Sequence, residues 1–175
     1  MRIATVNVNG IRAAARKGMG EWLTASAPDI LLLQEVRADE QIAVDLLPGY
    51  EAAIWPCRIK GRAGVGVAVR EGGSATLGEL RYGVAAPGTE EPDVDSGRWL
   101  EADLSLTGFD GLERLTVISA YLHSGQLGTE KMDQKYAHLE LVDARMAALL
   151  AAARDGGPQV VMAGDLNVVR SERDI

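Results

Sequence analysis

The chain has 175 residues, long enough for one domain with a sizeable core, and its 47% hydrophobic and 25% charged content is that of a globular protein. A single cysteine, Cys57, excludes an internal disulfide and suggests the cytoplasm, while the longest uncharged apolar run, Met146 to Ala153, is too short to cross a bilayer. The formal net charge of −7 disfavours a polyanionic partner, yet residues 71–113 alone carry −8 against +2 for 1–70 and −1 for 114–175, so the acidity is confined to one segment.

In chain order, residues 2–8 are β-prone and end at Asn7, just before the turn signal Asn9-Gly10. Asn7 in that place can cap the turn or face a ligand. Residues 11–25 carry Ile11, Ala14, Trp22 and Leu23 at helical spacing, interrupted by Gly18 and Gly20, and predict a helix in one or two pieces. Its Arg12, Arg16 and Lys17 suit a solvated face or a contact with phosphates.

Ile30 to Leu33 is a continuous apolar run, expected as a strand buried on both faces and ending in Gln34-Glu35. A glutamate at such a point needs a partner: Arg37, solvent or a divalent cation. A short helix over 38–47 and a turn at Pro48-Gly49 lead to a strand over 50–56. A basic loop with Arg58, Lys60 and Arg62 precedes alternating residues 63–70, which predicts an antiparallel hairpin.

Residues 74–82 predict another strand, and 83–97 a solvated acidic loop with Glu90, Glu91, Asp93 and Asp95. Strands follow at 97–104 and 116–122, the second running into Tyr121-Leu122-His123-Ser124-Gly125. Residues 129–154 form the clearest helix. Met132, Tyr136, Leu139, Val142, Met146, Leu149 and Ala153 recur at three- and four-residue steps, with Thr129 as the expected cap and Gly156-Gly157-Pro158 as the stop. His138 on this helix is expected at the surface or hydrogen-bonded.

Val160 to Ala163 predicts a short buried strand followed by Gly164. Asp165 and Asn167 are two residues apart and in extended chain would face one spot, although each can also bond its own backbone in a turn. Asn7, Glu35 and Asp165/Asn167 thus all stand just beyond apolar runs. If those ends lie side by side they form an oxygen-rich cluster without Cys or His, which suits Mg²⁺ or Mn²⁺ and not Zn²⁺.

Five stretches then occur in order: Asn7-Val8-Asn9-Gly10-Ile11-Arg12, Leu32-Leu33-Gln34-Glu35-Val36-Arg37, Gly64-Val65-Gly66-Val67-Ala68, Ser119-Ala120-Tyr121 and Gly164-Asp165-Leu166-Asn167. Together they make the chain resemble the exonuclease III family of AP endonucleases, within the DNase I-like phosphodiesterase fold, and the closing residues 167–175 resemble it too. The resemblance implies an α/β fold, a four-layer sandwich of two mixed β-sheets flanked by helices. It implies Mg²⁺-dependent hydrolysis of phosphodiesters in double-stranded DNA, at 3′ ends and abasic sites, by a monomer.

On the same resemblance, Asn7, Glu35, Asp165 and Asn167 lie at the metal, with Glu35 a direct ligand. Tyr121 meets the phosphate, Asp165 handles the attacking water, and Asn167 holds Asp165 and the phosphate. The family's loop after the tyrosine often has a proline and a polar residue where this chain has Leu122, His123 and Ser124. The family's later Asp and Asp-His motifs have no counterpart before Ile175. Residues 1–175 are therefore expected to be one such domain without its C-terminal part, its second sheet reduced to 116–122, 160–163 and little else, and its activity impaired. Two other functions fit: a phosphodiesterase acting on a non-DNA ester, and a non-catalytic DNA- or metal-binding remnant.

Overall fold

The computed structural model describes every residue except Pro87, Arg170 and Ile175, and the backbone alone of Asp174; the last part of the closing stretch 167–175 therefore lies partly outside the described residues. Strand β1 (Ile3–Asn7) pairs in parallel with β2 (Ile30–Gln34). A parallel pair needs a crossover, supplied here by helices α1 (Ile11–Arg16) and α2 (Met19–Ser26). The predicted 11–25 helix is thus two helices, broken at Lys17-Gly18. After α3 (Glu40–Asp45), β3 (Tyr50–Trp55) and β4 (Val65–Arg70) form the expected hairpin, and the sheet order is β1-β2-β4-β3.

The second sheet contains β5 (Ala75–Tyr82), β6 (Trp99–Leu106), β7 (Arg114–Tyr121) and β8 (Gln159–Asp165) in sequential order. It is therefore fuller than the expectation of two strands and little else, because 75–82 and 99–106 both pair into it. The strand expected over 116–122 begins two residues earlier, at Arg114, since no turn residue interrupts the chain there. Helix α4 (Glu130–Arg154) is the crossover that allows β7 and β8 to run parallel.

Alternation along the strands builds four layers. In β2, Leu31 and Leu33 face α1–α3 with Ile11, Leu23, Ala43 and Leu47, whereas Ile30 and Leu32 face the other sheet. There they join Val65, Val67, Val69, Leu100, Ala102, Leu104 and Val117, which explains why β2, buried on both faces, reads as an unbroken apolar run. On the outer face of the second sheet, Trp99, Ile118, Ala120 and Leu122 pack against Val142, Leu139, Met146 and Leu149 of α4. Tyr136, expected in that stripe, is exposed. A charged latch supplements the apolar contact: Arg145 donates to both oxygens of buried Glu101 at 2.8 and 2.6 Å, and Trp99 Nε1 donates to Glu101 Oε1 at 2.7 Å. Bidentate geometry of this kind fixes direction as well as distance.

A buried polar link crosses between the sheets. Gln34 Nε2 donates to Ser119 Oγ at 3.0 Å, Ser119 Oγ donates to Leu33 O at 2.8 Å, and Thr5 Oγ1 donates to Gln34 Oε1 at 3.2 Å. Gln34 and Ser119 are fully buried, so losing either partner would strand a polar group at a cost of about 1–3 kcal/mol. The link ties the parallel pair of one sheet to that of the other directly below their carboxyl ends.

Candidate active site

Each sheet contributes one parallel pair, β1/β2 and β7/β8, and the polar residues beyond their carboxyl ends meet. Asn7 is the bridge. Its Nδ2 donates to Glu35 Oε1 at 2.9 Å and to Asp165 Oδ2 at 2.8 Å, while its Oδ1 accepts the Asn9 N–H at 3.0 Å. Asp165 Oδ1 accepts the backbone N–H of Asn167 at 3.1 Å, and Asn167 Nδ2 donates to Leu122 O at 2.8 Å. Asn7, Glu35, Asp165 and Asn167 are therefore brought into one cluster, and the turn-type bonds of Asn7 and Asp165 coexist with the contacts across strands.

The backbone aims these groups. Glu35 has φ 52° and Arg37 φ 51°, a left-handed conformation that L residues rarely adopt. Bonds on either side impose it: Gly10 N–H to Glu35 O at 2.7 Å, Val36 N–H to Gly64 O and Arg37 N–H to Ala63 O, both at 3.0 Å. At Gly164, where φ is 151°, a Cβ would collide with the Ala120 carbonyl; only glycine lets β8 come this close to β7 and set Asp165 opposite Tyr121.

Glu35 also pairs with Arg37, the less specific of its expected partners. Tyr121 lies beside Glu35. Burial, reinforced by the neighbouring Glu35 carboxylate, pushes its phenol above the ordinary tyrosine value, so the hydroxyl remains a donor. The Arg98 guanidinium sits over the Tyr121 ring at 5.0 Å from its centroid and donates through Nη1 to Tyr121 O at 3.3 Å. A cavity of about 260 Å³ opens beside Tyr121, lined in part by Arg37, Arg62, Arg98, Lys131 and His123. A second, of about 220 Å³, lies across the basic loop and adds Arg12 and Lys60.

The acidic segment is a solvated excursion only in part: Glu90 and Asp93 are exposed, whereas Glu91 and Asp95 turn inward. Arg58 donates to Asp93 Oδ1 at 2.9 Å and Glu91 O at 2.9 Å, buried Ser96 accepts the Arg58 N–H at 2.9 Å, and Glu91 accepts the Ala85 N–H at 2.8 Å. Its Asp95 meets His123 Nε2 at 2.6 Å. Burial works against the Asp95 carboxylate, but the His123 bond and the nearby His138, His123 and Arg98 hold its pKa below the usual aspartate value. His138 stacks edge-on against His123 with centroids 5.3 Å apart, is buried, and among the described residues has no hydrogen-bond partner for either ring nitrogen. Burial above all pushes its pKa down to about 4, Asp95 opposing and His123 and Arg98 adding to the fall. It is thus neither at the surface nor satisfied, because α4 turns it inward against the loop. Gln34, Ser119, Arg98, Asp95 and His138 carry no site role in the sequence reading; the advance signs were Gln34 closing an apolar run and Ser119 opening the Ser119-Ala120-Tyr121 stretch.

Among the described residues no group of three or more His, Cys, Asp or Glu side chains converges on a metal position. The site instead offers two carboxylates and amide oxygens. That set fits a small hard cation such as Mg²⁺, which is held by one or two carboxylates while keeping water and phosphate oxygens as its other ligands. The fit shows in the way Glu35 and Asp165 already draw the same N–H group of Asn7 between them.

The Endonuclease/Exonuclease/phosphatase family profile matches residues 4–175. The chain is 28% identical over 180 residues to the DNA repair nuclease APEX1 of Danio rerio, covering 100% of this chain and 51% of that protein. It is 28% identical over 177 residues to the exodeoxyribonuclease of Bacillus subtilis (strain 168), covering 100% of this chain and 62% of that one. The chain spans about half the length of the curated relatives it matches. Among solved structures, the AP endonuclease LMAP from Leishmania major superposes with a TM-score of 0.77 at 24% identity, over 99% of this chain and 57% of that one. An AP endonuclease from Archaeoglobus fulgidus gives 0.74 at 24% identity, over 100% and 60%. Both share the fold described above.

Proposed function

Since the chain belongs to the Endonuclease/Exonuclease/phosphatase family, we propose that it carries the phosphodiester-hydrolysing centre of a DNA-repair nuclease of the exonuclease III type. Its substrate is double-stranded DNA at 3′ ends and abasic sites, and its cofactor Mg²⁺, with Mn²⁺ as a substitute. The observation that carries this reading is the meeting of Asn7, Glu35 and Asp165 beside a cavity lined by arginines and a lysine. Two carboxylates alone would repel a phosphate; a hard cation held by Glu35, with the arginines and lysine of the cavity, would reverse that.

In this reading Glu35 binds the cation with Asn7 and Asn167 nearby. The cation, when bound, neutralises charge building on the phosphate. Tyr121, kept protonated, donates its O–H to a phosphate oxygen. Asp165, oriented by Asn7 and the Asn167 N–H, accepts a proton from the attacking water. Arg37, Arg62, Arg98 and Lys131 face neighbouring phosphates, whose binding would weaken steeply with salt. The same reading takes residues 1–175 as part of a single domain that works as a monomer in the cytoplasm.

The test is cleavage of a duplex with one abasic site by the full chain, with Mg²⁺ and with EDTA. EDTA is expected to stop cleavage, and Glu35→Ala and Asp165→Asn each to lower the rate by about 10³-fold or more. Unchanged cleavage in both variants overturns the site. Binding of DNA or Mg²⁺ with no turnover under any metal favours the binding remnant, and preference for a soluble phosphate ester favours the non-DNA phosphodiesterase.

A further inference from the structure

The described site contacts account for the cluster's own side chains, but not for what fixes the loop that carries Asn167. Asn167 holds a left-handed backbone with φ 49°, and its N–H is the one bound to Asp165 Oδ1. A carbonyl in such a turn points away from any strand partner and needs another donor. That donor comes from α4: Lys135 Nζ donates to Asn167 O at 2.7 Å and to Ser124 O at 3.3 Å. Ser124 follows Tyr121 by three residues, and Asn167 follows Asp165 by two. One ammonium therefore clamps both loops that leave the second sheet beside the site.

The loop around Gly125 is shaped to this side chain. A Cβ there would stand 2.9 Å from Lys135 Cδ and 3.2 Å from Met132 Sδ, and φ is 70°, so the lysine stem lies closely under a turn whose torsion favours glycine. The described ion pairs do not include Lys135, so its charge is directed at carbonyl oxygens rather than at a carboxylate.

We propose that Lys135 is a positioning residue: it holds the Asp165–Asn167 turn in the geometry that keeps the Asn167 N–H on Asp165 and the Asn167 side chain on Leu122. Its role in turnover rests on the nuclease reading above; its role in the turn does not. The experiment uses the full chain with Lys135→Met, which keeps the stem, and Lys135→Arg, which restores a cationic donor. Amide exchange by NMR at Asn167 is expected to rise about tenfold or more in Lys135→Met and to return towards normal in Lys135→Arg, with distant strands unaffected. On an abasic duplex, kcat is expected to fall about 10- to 100-fold with KM nearly constant, as a displaced group rather than a lost binding contact would give. Unchanged Asn167 exchange, or a rise spread evenly over the whole molecule, overturns the proposal. If the unaltered chain cleaves nothing, the nuclease reading fails and the exchange result alone still decides on Lys135.

Discussion

Two polar clusters flank the end of β7, and they are built in opposite ways. The Asn7–Glu35–Asp165 cluster stands on the ends of regular strands, and Asn7 contacts both carboxylates. The His123–Asp95–His138 cluster is assembled from a strand extension, a loop and a helix, and among the described residues leaves both nitrogens of a buried imidazole unpaired. The first is pre-shaped by the sheets, so little reorganisation is needed for it to meet a ligand. The second carries a standing cost that changes with protonation, since a buried ring without partners resists taking a charge.

The first cluster should break most severely through its backbone. Gly164→Ala sets a Cβ against the Ala120 carbonyl and is expected to lower stability by about 3–5 kcal/mol, read from urea midpoints, with β7 and β8 losing exchange protection first. The second cluster should show itself through pH. The His138 pKa is held near 4 in the fold against 6.5 in the open chain, so the unfolded state takes up the proton first and stability falls as pH drops through that interval. The loss is expected to reach about 2–3 kcal/mol, and His138→Phe should flatten it. Asp95, whose pKa lies below 3.8, adds its own loss only at more acidic pH, which keeps the two effects separable. The smallest effect should come from Arg37→Met. Its side chain is 40% exposed, so removing the pair with Glu35 should alter stability by no more than about 1 kcal/mol in a urea titration.

The first cluster was visible in the amino-acid sequence and the second was not, for a physical reason. Apolar runs such as Ile30 to Leu33 mark where a strand ends, and a polar residue placed there is constrained by period alone. Asn7, Glu35, Asp165 and Asn167 stand out that way, whereas the sandwich of two mixed sheets came only from the resemblance to the exonuclease III family. Asp95 and His138 depend on how a loop folds back on a helix, for which spacing carries no signal. Charge misled as well: residues 90–95 have a disordered composition, yet Arg58 and the buried Ser96 pin them. Thr129 precedes α4 as expected, but its hydroxyl donates to Gln126 O at 2.8 Å and caps no N–H of the helix. Local bonding of this kind competes with capping for the same residue types.

The left-handed backbone at Glu35, Arg37 and Asn167 has a consequence for how these positions tolerate change. Side-chain chemistry and main-chain torsion select independently there. Valine or isoleucine would be rejected by the torsion alone, whereas asparagine, aspartate and glycine would be accepted by the chain even when the chemistry suffers. A saturation library at these codons, sorted once for folded protein and once for turnover, should return two different alphabets. Where the alphabets overlap, they mark the residues that satisfy both demands at once.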